Sequence, residues 1–345
     1  MPAQDNSAFL QRLTYYRDMA FQALREWIPT KEPDRYLYGL VREQVERSGK
    51  GLRPALCLAT CGAFGGRAED ALSSAAAIEM IHNAFLVHDD VEDGSEYRRR
   101  QQTMHTRYGV PIAVNTGDAM QALSMQLLRN NLSVLGPQLA WQIFDEFDHM
   151  LTETIEGQAM ELGWIRDNRC DVSEEDYLRL ILKKTCWYSF IHPCRIGALI
   201  AQPPELNLER FNVFGYYLGA AFQIQDDILN LTGNREQYGK EIGGDLYEGK
   251  RTLMLSHLFG KCSEPEKRAL QGLLSRPRQR RLPREIDALY EQMRRYGSIE
   301  YALACARELR EAAEKFFAEA YGDLQESDDK EFIRQSIQYM LDRSS

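Results

Sequence analysis

The stretch Ala84-Phe85-Leu86-Val87-His88-Asp89-Asp90-Val91-Glu92-Asp93-Gly94 runs from apolar residues into a cluster of acids and stops at a glycine. A second stretch, Phe222-Gln223-Ile224-Gln225-Asp226-Asp227-Ile228-Leu229-Asn230, repeats the pattern. On a helix, positions i and i+4 share a face, so Asp89 and Asp93 point the same way and Asp226 heads a similar face on a second helix. Carboxylates among such apolar neighbours are costly to bury bare and become tolerable when they hold cations. All-oxygen ligation with open positions suits Mg2+, which keeps waters and completes its shell with substrate phosphates. One such string alone reads equally well as a solvated helix face. Two copies in matching apolar settings favour a metal site held between two helices.

The rest of the chain supports a helical setting. Its 345 residues include only 24 glycines and 12 prolines, β-branched runs are short, and most segments repeat at helical spacing, so the expected class is all-α. Helices are expected over 8–28, 34–47 and from Arg53-Pro54 to about 64. A long helix capped by Asp70 should stop at Gly94, followed by a polar, arginine-rich loop over 95–109. Further helices are expected at about 112–133, 138–162, 174–201, 205–232, 251–260, 264–274, 283–296, 298–321 and 329–342. A glycine-rich loop should span 233–250, a length that usually marks function or motion. No break in composition divides the chain, so residues 1–345 are read as a single all-helical domain.

No apolar run reaches membrane-spanning length, and the N-terminus lacks the apolar core of a signal peptide, so a cytoplasmic protein with no transmembrane segment is expected. The seven cysteines include no CxxC pair and read as reduced thiols, with Cys57 and Cys61 packed in the core. A formal net charge of −9 argues against nucleic acid as a partner, because phosphate-backbone binding wants a basic surface. The basic stretch from Arg276 to Arg284 reads as an exposed inter-helix loop, since it lacks the apolar face of an interfacial helix.

Around the first acidic string lie Gly49-Lys50-Gly51-Leu52-Arg53-Pro54, Glu79-Met80-Ile81-His82, Arg98-Arg99-Arg100 and Thr103-Met104-His105. Around the second lie Lys184-Thr185, Gln223, Gly239-Lys240, Asp245-Leu246 and Gly249-Lys250-Arg251-Thr252-Leu253. In order and spacing, over about residues 40 to 260, these resemble the trans-isoprenyl diphosphate synthases of the polyprenyl synthetase family, and most resemble geranylgeranyl diphosphate synthases. The resemblance implies an isoprenoid synthase-type helical bundle around a deep central cavity, a homodimer, and condensation of isopentenyl diphosphate with an allylic diphosphate. It implies Mg2+, three ions when substrate is bound, with Asp89, Asp93 and Asp226 as ligands and Asp90 and Asp227 in support.

By the same resemblance, Lys50, Arg53, His82 and Arg99 hold the diphosphate of isopentenyl diphosphate, and Arg98 contacts the allylic diphosphate. Lys184 and Lys240 grip the departing diphosphate, Lys250 joins the substrate-binding set, and the Thr185 hydroxyl and Gln223 carbonyl supply dipoles toward the allylic cation. Gln223 lies three residues before Asp226, on the same helix face. His88 and His105 are read as structural. The chain departs from the family in carrying Arg100 and Gln102 where glycine and proline are usual, and Asn230 at the last acidic position. In the family, bulk at both the fourth and fifth residues before the first aspartate goes with farnesyl-length products. Here those residues are Phe85 and Ala84, and the small Ala84 points to geranylgeranyl diphosphate. The alternatives are a farnesyl diphosphate synthase, a class I terpene cyclase, and a weakly active subunit of a heteromeric synthase. No Asn/Ser/Glu metal motif is present, and the retained Lys50, Arg53, His82 and Arg99 would be superfluous in a cyclase, which has no second diphosphate to hold.

Overall fold

The computed structural model describes residues 7–47, 49–202, 205–233 and 243–341. They form α1 (Ser7–Trp27), α2 (Gly39–Glu46), α3 (Leu52–Ala63), α4 (Ala68–Asp93), α5 (Met104–Tyr108), α6 (Val110–Val134), α7 (Pro137–Arg166), α8 (Glu174–Ile181), α9 (His192–Ala201), α10 (Glu209–Thr232), α11 (Gly244–Glu248), α12 (Leu253–Lys261), α13 (Glu264–Leu274), α14 (Pro283–Arg295), α15 (Ser298–Tyr321) and α16 (Asp328–Leu341). The only strands among these residues are the two-residue β1 (Tyr97–Arg98) and β2 (Gln101–Gln102), which pair antiparallel. The expected all-α class is what the chain adopts.

α4 lies at the centre, packed along α6 and α3, while α10 packs along α15 and against the segment Leu182–Ile191. A large apolar core gathers Leu56 of α3, Ile78 of α4, Leu127 of α6, Phe147 of α7 and Phe332 of α16. A second gathers Ile224 and Ile228 of α10, Leu255 of α12, Leu289 of α14 and Ala302 of α15. α10 and the 182–191 segment contribute to both cores. Polar residues on these two elements are thereby held rigidly where the cores meet.

Several boundaries differ from the sequence expectation, each for a local reason. α4 begins at Ala68 with Arg67 at its cap, so Asp70 is not the capping residue; it sits with Glu69 in the first turn, where negative charge meets the positive end of the helix. The end is as expected: Gly94 takes φ +63, and the Ser95 amide donates to the Asp90 carbonyl at 3.0 Å. The helix expected at 174–201 is one helical run whose middle, Leu182–Ile191, is wound as a wider π-helix. α10 starts four residues later than expected, after the Asn207 side chain accepts from the Glu209 amide at 3.0 Å. Within the glycine-rich stretch, α11 is bracketed by Gly243 at φ +73 and Gly249 at φ +76, conformations that cost glycine little.

Two further expectations hold only in part. The loop over 95–109 contains the β1–β2 hairpin and α5, because Arg99 and Arg100 both adopt positive φ, +51 and +64, and turn the chain in two residues. The basic stretch 276–284 leads from α13 into α14 and is largely exposed, as expected, except at Arg281. Arg281 is 6 % exposed and donates to the carbonyls of Leu246, Tyr247, Leu274 and Arg276, while Arg278 pairs with Glu248 at 2.8 Å. The cysteines among the described residues are unpaired, Cys57 and Cys61 are fully buried, and no described helix is long and apolar enough to cross a membrane.

Candidate active site

A cavity of about 350 Å3 opens between α3, α4, the hairpin, the π-helical segment, α10 and α11. From α3 and its approach come Gly49, Lys50, Gly51 and Arg53; from α4 come Glu79, His82, Leu86, Asp89 and Asp93. The hairpin adds Arg98 and Arg99, the π-helical turn adds Lys184, Thr185 and Tyr188, and α10 adds Gln223, Asp226 and Asp227. Asp245 and Lys250 complete the wall. Thirteen of the fifteen candidate site residues therefore meet in one cavity; Asp90 stands apart, and Lys240 lies outside the described residues.

Helical spacing explains the α4 contribution. Residues 79, 82, 86, 89 and 93 advance by three and four, so one stripe of α4 lines the cavity from end to end. Asp90, one residue off that stripe, is buried and accepts from Arg98 Nε at 2.6 Å. Its partner is the arginine, and burial, which disfavours the Arg98 charge, is outweighed by Asp90 and Asp89 so that the guanidinium is held more firmly protonated.

At the first end of the cavity the side chains are basic. Arg53 donates to Ser189 Oγ at 3.1 Å and to the Tyr188 hydroxyl at 2.8 Å, and its Nη1 lies 3.2 Å from His82 Nε2. Glu79 lies 1 % exposed beneath this group. Burial pushes its carboxyl up to about 7, against the pull of Arg53, Arg99 and the Asn83 amide. Burial also lowers the Arg99 pKa, with Glu79 opposing and Arg98 and Arg53 reinforcing the shift.

At the other end the carboxylates and lysines meet. Lys250 Nζ lies 2.8 Å from Asp93 Oδ2 and 2.8 Å from Glu248 Oε2, and Lys184 pairs with Glu161 of α7. Burial opposes ionisation of Asp93, but Lys250, Lys184 and Arg98 together hold it below the usual carboxylate range. Thr185 donates to Gln223 Oε1 at 3.0 Å, Gln223 Nε2 donates to Asp227 Oδ1 at 2.8 Å, and Tyr177 donates to Asp227 Oδ2 at 2.8 Å. Asp227 thus fixes the amide of Gln223, and burial pushes its carboxyl up to about 7 despite both hydrogen bonds. Asn230 is buried and its side-chain oxygen accepts from the Asp245 amide at 3.1 Å. The missing acid of the second string is therefore a clamp on α11.

A second cavity, about 360 Å3 and more apolar in character, adjoins the first. Asp89, Lys184 and Tyr188 line both. Phe85, Ile155, Ala159 and Leu162 supply apolar wall, and His88 lies there too, its Nε2 3.5 Å from Asp118. Ala84 is completely buried and lines neither cavity.

The polyprenyl synthetase family model matches residues 34–293. The chain belongs to the polyprenyl synthetase family. Among relatives, it is 32% identical to a short chain isoprenyl diphosphate synthase of Methanothermobacter thermautotrophicus, over 96% of this chain and 97% of that one. It is 34% identical to a geranylgeranyl diphosphate synthase of Sulfolobus acidocaldarius, over 83% of this chain and 82% of that one. The geranylgeranyl pyrophosphate synthetase of Pyrococcus horikoshii superposes with a TM-score of 0.85 at 28% identity, covering 97% of this chain and 98% of that one. This polyprenyl synthetase is accordingly a prenyltransferase of the trans-isoprenyl diphosphate synthase type.

The donor chemistry of this synthetase's acidic end fits Mg2+. Asp89, Asp93 and Asp226 offer carboxylate oxygens, the hard ligands that ion takes. Among the described residues, no three His, Cys, Asp or Glu side chains converge closely enough to hold an ion by themselves. Sequence reasoning missed Glu79, Glu161, Glu248 and Tyr188 as parts of the site. Glu79 shares the α4 stripe of His82 and Asp89, a spacing that was there to be read, whereas Glu161 comes from the distant α7 to meet Lys184 and carries no local signature. Tyr188 follows Lys184 by four residues, a helical-face signal that was there to be read.

Proposed function

We propose that this prenyltransferase condenses isopentenyl diphosphate with an allylic diphosphate, with geranylgeranyl diphosphate as its main product. The observation that carries this reading is the division of one cavity into a basic end and a carboxylate end, with an apolar cavity leaving from the carboxylate end. Two diphosphates with opposite chemical fates need such a division. One must leave, and the other must stay attached while its double bond attacks.

At the basic end, Lys50, Arg53, His82 and Arg99 hold the isopentenyl diphosphate by charge-assisted hydrogen bonds, away from the carboxylates. At the carboxylate end, Asp89, Asp93 and Asp226 would hold Mg2+, three ions with substrate bound, with Asp227 supporting through Gln223. Bound metal would neutralise the charge that develops on the departing diphosphate. Arg98, Lys184 and Lys250 add positive charge there, and Asp90 serves by holding Arg98. Gln223 Oε1, oriented by Asp227, and the Thr185 hydroxyl present dipoles toward the cationic allyl group. The prenyl tail lies in the apolar cavity against Phe85, and Phe85 alone of the two length-reading positions meets it. The names borne by the relatives agree with a product of this class.

A homodimer is proposed through α6 and α7, whose Val114, Val134, Trp141 and Ile155 leave apolar surface exposed.

The test is steady-state kinetics with isopentenyl diphosphate, each allylic primer and Mg2+, with products identified by mass spectrometry. Lys50→Ala, Arg53→Ala and Arg99→Ala should each raise KM for isopentenyl diphosphate more than for the primer, by the loss of about 1.5–3 kcal/mol of charged hydrogen bonding. Lys184→Ala should weigh on the allylic substrate. Equal effects on both substrates in all four variants would refute the division. A cyclised hydrocarbon would favour the cyclase, and a main product of farnesyl length would reassign the product.

A further inference from the structure

Among the described residues lining both cavities, Tyr188 joins the basic end of the first to the apolar wall of the second. It stands in the π-helical segment, four residues after Lys184, and is partly buried. Its hydroxyl accepts from Arg53 Nη2 at 2.8 Å, and the Arg53 guanidinium sits 4.5 Å from its ring centroid. The His82 ring lies 5.8 Å away. On its other side the Tyr188 ring meets Phe85 at 5.8 Å with planes at 89°, an edge-to-face contact.

The lining of the apolar cavity on α4 is Phe85, His88, Asp89 and Glu92. Ile81, one turn deeper than Phe85, does not line it. Phe85 therefore ends the cavity along α4, and its ring is braced by Tyr188. A short side chain at 188 would give the Phe85 ring room to swing aside and deepen the cavity.

We propose that Tyr188 has two separable roles: its ring, with Phe85, forms the barrier that sets product length, and its hydroxyl positions Arg53 for isopentenyl diphosphate. This rests on the proposed assignment of the two cavities. For the first role Tyr188 is a specificity-determining residue in the wall itself; for the second it is a positioning residue that acts through Arg53. Chain length and isopentenyl diphosphate affinity are thus joined in one side chain.

Tyr188→Phe, Tyr188→Leu, Tyr188→Met, Phe85→Ala and the double variant Phe85→Ala/Tyr188→Leu separate these roles. Each is assayed with isopentenyl diphosphate, farnesyl diphosphate and Mg2+ for product length, kcat and both KM values. Tyr188→Phe should keep the wild-type product and raise KM for isopentenyl diphosphate by about tenfold, the loss of one hydrogen bond to a charged group, with KM for the primer unmoved. Tyr188→Leu and Tyr188→Met should each lengthen the product by at least one five-carbon unit. The double variant should make products no longer than the longer of its two parents, because the rings act as one barrier. Unchanged length in both Tyr188→Leu and Tyr188→Met, while Phe85→Ala lengthens the product, overturns the barrier. An unchanged KM in Tyr188→Phe overturns the positioning role. If wild-type protein forms no condensed product, the assignment of the cavities itself falls, a result distinct from either.

Discussion

Arg99 and Arg100 sit at φ +51 and +64, a backbone region where a side chain costs an L-residue roughly 1–2 kcal/mol. Arg99 lines the cavity beside Arg53 and Glu79; Arg100 is exposed. Replacing Arg100 with glycine should raise the urea-unfolding midpoint by the equivalent of about 1 kcal/mol, partly offset by the freer unfolded chain; a lower midpoint would show that the Arg100 side chain stabilises the hairpin. Glu79 gives a second residue-scale test. Its carboxyl is raised to about 7 by burial, so the folded state binds its proton more tightly than the unfolded state does. Stability from this group is present below about pH 4.5 and is lost as pH rises toward 7. Thermal unfolding without substrate should therefore show wild type losing stability over that window relative to Glu79→Gln, and parallel pH profiles would contradict it. Of the two, only Arg100, which stands where glycine is usual, carried any signal in the sequence. Positive φ in consecutive arginines violates turn preference, and burial of Glu79 depends on three elements packing around it.

At the scale of elements, α4 was the most readable part of the chain because apolar periodicity, the acidic string and Gly94 all act within one helix. The π-helical winding of Leu182–Ile191 was not readable, since its composition is that of an ordinary buried helix. The same limit hid the one buried arginine of 276–284. Three arginines between two prolines look solvated, but Arg281 finds four backbone carbonyls from 246, 247, 274 and 276. Burial lowers its pKa to about 10, reinforced by Arg251, Arg276 and Arg278. The carbonyls at 246 and 247 belong to α11, which carries Glu248, a partner of Lys250. Arg281→Ala should destabilise the protein by about 3 kcal/mol, because it leaves buried carbonyls without donors. Chemical denaturation measures this directly, and a loss below 1 kcal/mol would mean that water or a neighbouring arginine takes over those bonds.

Over the whole molecule, the formal charge of −9 coexists with a cavity rich in basic side chains. Arg53, Arg98, Arg99, Lys184 and Lys250 converge on it from four elements, so the local field opposes the global one. The sequence showed which residues would meet, because the family motifs are local. It did not show that a second cavity would branch at Asp89, Lys184 and Tyr188, which is a property of how α4, α7 and the π-helical turn are packed. If α6 and α7 form the dimer face, Trp141→Glu, at a position 61 % exposed, should shift sedimentation toward the monomer while leaving the far-ultraviolet circular dichroism unchanged. A dimer that persists would place the interface elsewhere. The central claim is that the two aspartate strings act as one site on the allylic diphosphate. Its most direct test is Mg2+-dependent condensation of isopentenyl diphosphate with farnesyl diphosphate by wild type, Asp89→Ala and Asp226→Ala. Each variant should stay folded and lose turnover by several orders of magnitude; near-normal, Mg2+-dependent turnover in either one would contradict the account.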